Sequence, residues 1–99
     1  MLPLDDSVRA QLAGVCARYG FARLEIFGSV ARGEDTPASD VDVLYELVPG
    51  RHLGWEIEDA VDELAAILTR PVDLVSKRAL HPLLRDEVEA QARVLYDAA

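Results

Sequence analysis

Little in this sequence ties it to an oxidising compartment, a membrane or a nucleic acid. It holds one cysteine, Cys16, so no internal disulfide can form and a reducing compartment fits. No apolar stretch reaches the ~18 residues of a membrane span. Residues 1–6 carry a proline and two acids where a targeting signal would carry a basic region and an apolar run. Cationic residues are scarce: ten Lys and Arg against eighteen Asp and Glu give a formal charge of −8. General nucleic-acid binding needs cations to displace phosphate counterions, so neither a nucleic acid nor a membrane is expected as a partner. The cytoplasm is the expected location. The two histidines, His52 and His81, have no carboxylate or second histidine at ligand spacing, which argues against a zinc site.

What the chain does have is material for a core. Its 99 residues are 51% hydrophobic, and a chain of that length buries roughly two-thirds of its unfolded surface. A single domain spanning 1–99 is expected. Val8, Leu12, Val15, Cys16 and Tyr19 recur at the spacing of one helix face, with Asp5, Asp6 and Ser7 at its start and Gly20 at its end. Residues 22–27 (ARLEIF) suit a strand that Gly28 and Ser29 break. A single helical turn over 30–32 then precedes a polar loop over 33–39 (GEDTPAS). Residues 40–47 (DVDVLYEL) alternate, with Val41, Val43, Tyr45 and Leu47 on one side and Asp40, Asp42, Leu44 and Glu46 on the other. A second helix carries the stripe Ile57, Val61, Leu64, Ala65 and Leu68, and residues 72–75 (VDLV) suit a buried strand. Pro82 opens a third helix, and residues 92–96 (ARVLY) can add an edge strand. That order predicts a small mixed β-sheet with helices packed on it, an α/β or α+β fold.

Three carboxylates stand where strand geometry makes them neighbours. Asp40 and Asp42 project from one face of an extended segment, ~7 Å apart along it. Asp73, in the middle of VDLV, closes a triangle with them if that strand pairs beside residues 40–47. Two like charges ~6 Å apart cost about 3 kcal/mol at an effective dielectric of 20, and bound divalent cations remove that cost. Hard oxygen ligands suit Mg2+ or Mn2+, and Mg2+ commonly combines a few carboxylates with substrate phosphates. A pair of such ions can clamp the attacking and leaving oxygens of an in-line displacement. Gly28 and Ser29 form the second element. Glycine lets backbone approach a phosphate, free N–H groups at a helix start attract anions, and a serine hydroxyl adds a hydrogen bond. Three aspartates at about −3 and a nucleoside triphosphate at about −4 repel, and two Mg2+ together with Arg32 offset most of that charge. Lys77 and Arg78, just past the Asp73 strand, are further sources of positive charge.

Strand, Gly28-Ser29, a spacer over 30–39, Asp40-Val41-Asp42 and a later strand aspartate occur in order. Residues 27–44, FGSVARGEDTPASDVDVL, resemble the signature of the minimal nucleotidyltransferases, within the DNA polymerase beta-like nucleotidyltransferase superfamily. The resemblance continues through residues 70–88, RPVDLVSKRALHPLLRDEV, and ARVLY, so it covers nearly the whole chain. It implies a polymerase beta-like nucleotidyltransferase fold in which Gly28 and Ser29 contact nucleotide phosphates and Asp40 and Asp42 hold two divalent metals. Asp73 would complete the metal site and help activate the attacking hydroxyl. The same resemblance implies an Mg2+-dependent protein adenylyltransferase with ATP as co-substrate. Its partner would be a HEPN-domain ribonuclease toxin, which it silences as an antitoxin by placing AMP on a tyrosine hydroxyl. An acidic chain suits docking onto a more basic toxin. The added domains by which larger relatives hold nucleic acid or an antibiotic have no counterpart in these 99 residues. Two other readings stay open at this point. One is a non-catalytic antitoxin that masks the toxin by contact, and the other is a nucleotidyltransferase acting on a small molecule.

The remaining polar residues suit structural roles. Glu34 and Asp35 are expected to solvate the loop, and Arg32 either reaches the triphosphate or bonds residues 33–39. Glu46 lies ~13 Å along the strand from Asp42, too far for the same metal pair. Cys16 belongs to the core. Trp55 either anchors the second helix or sits at an interface, and residues 56–64 (EIEDAVDEL) are expected to form a solvated acidic face that could also serve as a partner surface.

Overall fold

The computed structural model describes residues 4–98. Met1, Leu2 and Pro3, which belong to the N-terminal stretch considered above, and Ala99 lie outside the described residues. Helix α1 (Asp6–Tyr19) forms where expected because both of its ends are chemically marked. The Asp5 carboxylate accepts the Val8 amide at 2.9 Å. Gly20, at φ 78, ends the helix by donating its N–H to the Cys16 carbonyl at 2.9 Å. The stripe of Val8, Leu12, Val15 and Cys16 is buried, and burial pushes the Cys16 thiol up to about 12.

Strand β1 (Phe21–Phe27) follows at once, then short helix α2 (Gly28–Arg32), strand β2 (Val41–Leu47), helix α3 (Ile57–Leu68) and strand β3 (Val72–Ser76). A 3-10 turn (Lys77–Ala79), unforeseen in the sequence, leads to helix α4 (Pro82–Gln91) and strand β4 (Arg93–Asp97). The sheet order is β3-β2-β1-β4, with β2 and β3 parallel and the other neighbours antiparallel. A parallel pair needs a long crossover, and α3 supplies it. The result is the mixed sheet that the element order predicts, in its α+β form. Leu24, Ile26, Val41 and Val43 of the sheet join Leu12 and Val15 of α1 and Leu64 and Leu68 of α3 in one buried cluster. No helix among the described residues is long and apolar enough to cross a membrane.

The second face of the sheet is not the plain polar surface that alternation predicts. Leu44 is buried there beside its register partner Glu25, which is 6% exposed. The Glu25 carboxylate meets Lys77 Nζ at 3.0 Å, and the same ammonium reaches Glu46 at 2.9 Å and Glu89 of α4 at 3.4 Å. These partners, the Glu46 hydrogen bond foremost, raise the Lys77 pKa. Helix α4 buries none of its own residues. It leans on the Lys77–Glu89 pair and on a 3.3 Å hydrogen bond from Arg32 Nη1 to Gln91.

Two expectations change. Trp55 is 96% exposed in the turn before α3 and does not anchor that helix, which is held by buried Ala60, Leu64 and Leu68. Glu63, placed in a solvated acidic run, instead accepts hydrogen bonds from the Arg18 guanidinium and the Tyr19 hydroxyl of α1. It therefore ties the two core helices together from outside.

Replacing Lys77 with methionine removes the nearer of two cations beside the buried Glu25 carboxylate and leaves Arg23 Nε at 3.4 Å. The expected loss is about 2 kcal/mol in urea denaturation, and adding Glu25→Gln should recover part of it. Equal stability of Lys77→Met and native protein would contradict this account of the second face.

Candidate active site

The sequence marks Asp40, Asp42 and Asp73, and strand pairing determines where they go. Phe27 lies opposite Asp42 across β1–β2, and Asp42 lies opposite Asp73 across β2–β3. Neighbouring strands run ~4.8 Å apart, and opposed residues leave the same face. The Asp42 and Asp73 carboxylates are thus direct neighbours on one side of the sheet. Asp40 stands one residue before β2, outside the ladder, so the strand itself does not fix its direction.

Gly28 sits against this edge at the end of β1. Its φ is 72, and a Cβ built there would collide with Asp42 Oδ2 and stand 3.2 Å from Asp42 Cγ. Both the backbone conformation and the available space exclude a side chain. Ser29 follows, half-buried, with its carbonyl accepting the Glu34 amide at 2.9 Å.

Asp42 is half-buried while Asp40 and Asp73 are exposed. Burial holds the Asp42 carboxyl above its ordinary range, and the negative charges of Asp73 and then Asp40 add to the rise, with Arg32 opposing. Four of the expected site residues therefore act electrostatically on one another. Arg32 is also committed elsewhere, donating from Nε to Glu34 at 2.8 Å and from Nη1 to Gln91 at 3.3 Å. Lys77 does not join the edge. Its charge is taken by three carboxylates, and it follows Asp73 by ~13 Å of strand. Arg78 lines a separate cleft with Glu46, Arg85 and Glu89.

Among the described residues, no three Asp, Glu, His or Cys side chains are gathered into a set ready to hold a metal ion. The donor chemistry of the edge nonetheless fits a hard divalent cation. It offers carboxylate oxygens only, two of them on directly opposed residues, and Mg2+ is commonly held by one or two carboxylates plus substrate phosphates. Burial first, and then the charges of Asp73 and Asp40, penalise the ionised Asp42 carboxylate, and a bound cation would relieve that penalty.

Arg70 and Asp35 carry no sequence signal of their importance. The Arg70 side chain, 9% exposed, donates to Asp35 Oδ2 at 2.8 Å, to the Thr36 carbonyl at 2.8 Å and to the Ser39 carbonyl at 3.1 and 2.8 Å. Asp35, expected to solvate the loop, is instead 11% exposed. The hydrogen bond from Arg70 holds its carboxyl below the usual carboxylate range. Local periodicity cannot reveal a pair separated by 35 positions.

A family model described as Nucleotidyltransferase domain matches residues 8–95. The chain belongs to this nucleotidyltransferase family. A Methanocaldococcus jannaschii protein, provisionally named a protein adenylyltransferase, is 31% identical to this nucleotidyltransferase over 87 residues, 88% of this chain and 92% of its own. A solved structure described as a minimal nucleotidyltransferase superposes with a TM-score of 0.72 at 39% identity, covering 88% of each chain. The same fold recurs in a complex of tri-AMPylated Shewanella oneidensis HEPN toxin with MNT antitoxin. The match there has a TM-score of 0.62 at 19% identity, over 92% of this chain and 71% of that one.

The raised Asp42 pKa makes a signed prediction for the metal-free enzyme. An acid whose folded pKa exceeds its unfolded value destabilises the native state while ionised, so Asp42→Asn should raise the melting temperature by a few degrees at neutral pH. The gap should close as pH falls through the raised folded value toward the ordinary 3.8. A variant less stable than native protein at pH 7 would show that the fold does not penalise the ionised Asp42 carboxylate.

Proposed function

We propose that this nucleotidyltransferase transfers AMP from ATP to a tyrosine hydroxyl of a cognate HEPN ribonuclease toxin and thereby acts as its antitoxin. The observation that carries the reading is the Asp42–Asp73 pairing against Gly28, where a Cβ would collide with the Asp42 carboxylate. That arrangement sets carboxylates able to gather divalent cations beside the Gly28 backbone, where such cations would offset phosphate charge. The protein adenylyltransferase name of the 31% identical relative supports AMP as the transferred group. The AMPylated HEPN toxin bound to MNT antitoxin in a protein of the same fold supports the partner.

In this mechanism the tyrosine oxygen attacks the α-phosphorus of ATP, an O–P bond forms, and the bond to the β-phosphate oxygen breaks as pyrophosphate leaves. Gly28 and Ser29 hold the β- and γ-phosphates, the glycine through close backbone approach and the serine through its hydroxyl. Asp40, Asp42 and Asp73 would hold two Mg2+, which when bound offset phosphate charge and align the attacking and leaving oxygens. In this reading the Asp73 carboxylate, exposed at the sheet edge, accepts the tyrosine proton. Arg32 turns from Glu34 toward the triphosphate. Alignment and charge neutralisation supply the rate, with no covalent enzyme intermediate. Exposure of Asp40 and Asp73 leaves the edge open to a protein acceptor.

Incubation with ATP labelled at the α-phosphate, Mg2+ and the HEPN toxin should place label on a toxin tyrosine. Asp42→Asn or Asp73→Asn should slow that transfer by about a hundredfold to a thousandfold, the scale of losing one electrostatic stabiliser. Unchanged labelling by Asp42→Asn would refute the assignment. Full neutralisation of the toxin by the triple Asp→Asn variant at equal expression would favour masking by contact.

A further inference from the structure

Asp40 differs from its two companions in having no strand to hold it. It is exposed, and β2 begins one residue later. Both peptide groups that flank it are nevertheless anchored from one place. The carbonyl before it, on Ser39, accepts Nε and Nη2 of Arg70 at 3.1 and 2.8 Å. The amide after it, on Val41, donates to the carbonyl of Pro71 at 2.8 Å. Peptide groups are planar, so fixing the two that flank a residue fixes its φ and ψ and hence its Cα–Cβ bond, leaving rotation about χ1 and χ2 to bring the carboxylate to a metal.

The surroundings of Arg70 show the same commitment. Its remaining donors go to Asp35 and to the Thr36 carbonyl, both 2.8 Å away, so one guanidinium spans the turn from 35 to 39. The turn closes on itself, with the Ser39 amide on the Thr36 carbonyl at 3.0 Å and the Thr36 amide on the Ser39 hydroxyl at 2.8 Å. The chain reaches Arg70 through Thr69 at φ 59, the single non-glycine residue with positive φ among those described. A β-branched residue is an outlier in that region. The left-handed turn it makes ends α3 and leaves the Arg70 amide on the Ala65 carbonyl at 3.2 Å, with the side chain directed at the loop.

We propose that Arg70 is the positioning residue for Asp40, holding the Ser39–Asp40 peptide so that the Asp40 carboxylate joins Asp42 and Asp73 in metal binding. This rests on the metal-ligand role proposed above for Asp40. Arg70 touches neither nucleotide nor metal. Its charge is balanced by Asp35, so it aligns the acidic edge without competing for that edge's cation. A lysine in its place keeps a cation beside Asp35 but lacks the planar fork that reaches two carbonyls together.

The test is Mn2+ binding to the full chain without nucleotide, read from the paramagnetic resonance signal of free Mn2+. Arg70→Lys should raise the half-saturating Mn2+ concentration by about tenfold or more, the range seen when a partner that orients a ligand is removed. Label transfer by that variant should recover as Mn2+ is raised, which a general loss of structure would not produce. Arg70→Gln is carried in parallel, and either Arg70 variant that keeps the native circular dichroism decides the matter. Native Mn2+ affinity in such a variant overturns the proposal, as does failure of both to fold, which would make Arg70 a folding residue. Asp42→Asn separates the two claims. If it loses Mn2+ while Arg70→Lys does not, only the Arg70 role falls. If it binds Mn2+ like native protein, the metal reading falls and this inference with it.

Discussion

Parallel pairing of β2 with β3 is the constraint on which the rest depends. Its register is set by the apolar face, where Val41 and Val43 are buried and Val72 and Leu74 pack against the same cluster. Side chains alternate across a strand, so the register that buries those four residues also forces Asp42 and Asp73 together on the other side. A slip of one residue would turn Asp73 into the apolar layer. Hydrophobic burial thus enforces an electrostatic repulsion that the chain would otherwise relax, a common arrangement where activity needs a locally unfavourable site.

The charged groups fall into two kinds. Lys77 with Glu25, Glu46 and Glu89, and Arg70 with Asp35 and two loop carbonyls, are clusters in which the cation makes direct contacts with acceptors within the chain. They do structural work, one pinning α4 to the sheet and the other closing the loop over 33–39. The Asp40, Asp42 and Asp73 edge differs in that Arg32 moderates Asp42 from a distance while its own hydrogen bonds go to Glu34 and Gln91. That leaves the Asp40, Asp42 and Asp73 carboxylates open to a cation from outside, and perturbed acids of this kind cluster at functional sites.

Much of this architecture was legible in the sequence, and the gaps have physical causes. Capping residues marked α1, alternation marked β2, and Pro82 marked the start of α4. Gly28 was expected to let backbone approach a phosphate, and its close contact with the Asp42 carboxylate was not legible because it depends on the β1–β2 register. Strand direction stayed hidden because periodicity is the same for parallel and antiparallel pairing. Lys77 looked like a spare cation because its three carboxylates come from β1, β2 and α4, which only the folded sheet brings together. Asp35 looked solvated for the same reason: composition describes a loop as polar but says nothing of a distant arginine that folds over it. Trp55 violated the ordinary expectation for a large aromatic, since α3 already fills its inner face with Ala60, Leu64 and Leu68.

That last feature has a practical side. With its one indole almost fully in water, the protein should emit at nearly the same wavelength folded and unfolded, making tryptophan fluorescence a poor reporter of denaturation. The same solvent-facing ring becomes a sensitive dye for anything that settles over the β2–α3 connection, because its spectrum can only shift toward the blue. Tyr19 and Tyr45, whose rings lie 6.2 and 5.4 Å from that of Phe21, report on the interior instead. One molecule thus carries separate optical channels for its core and for its outer rim.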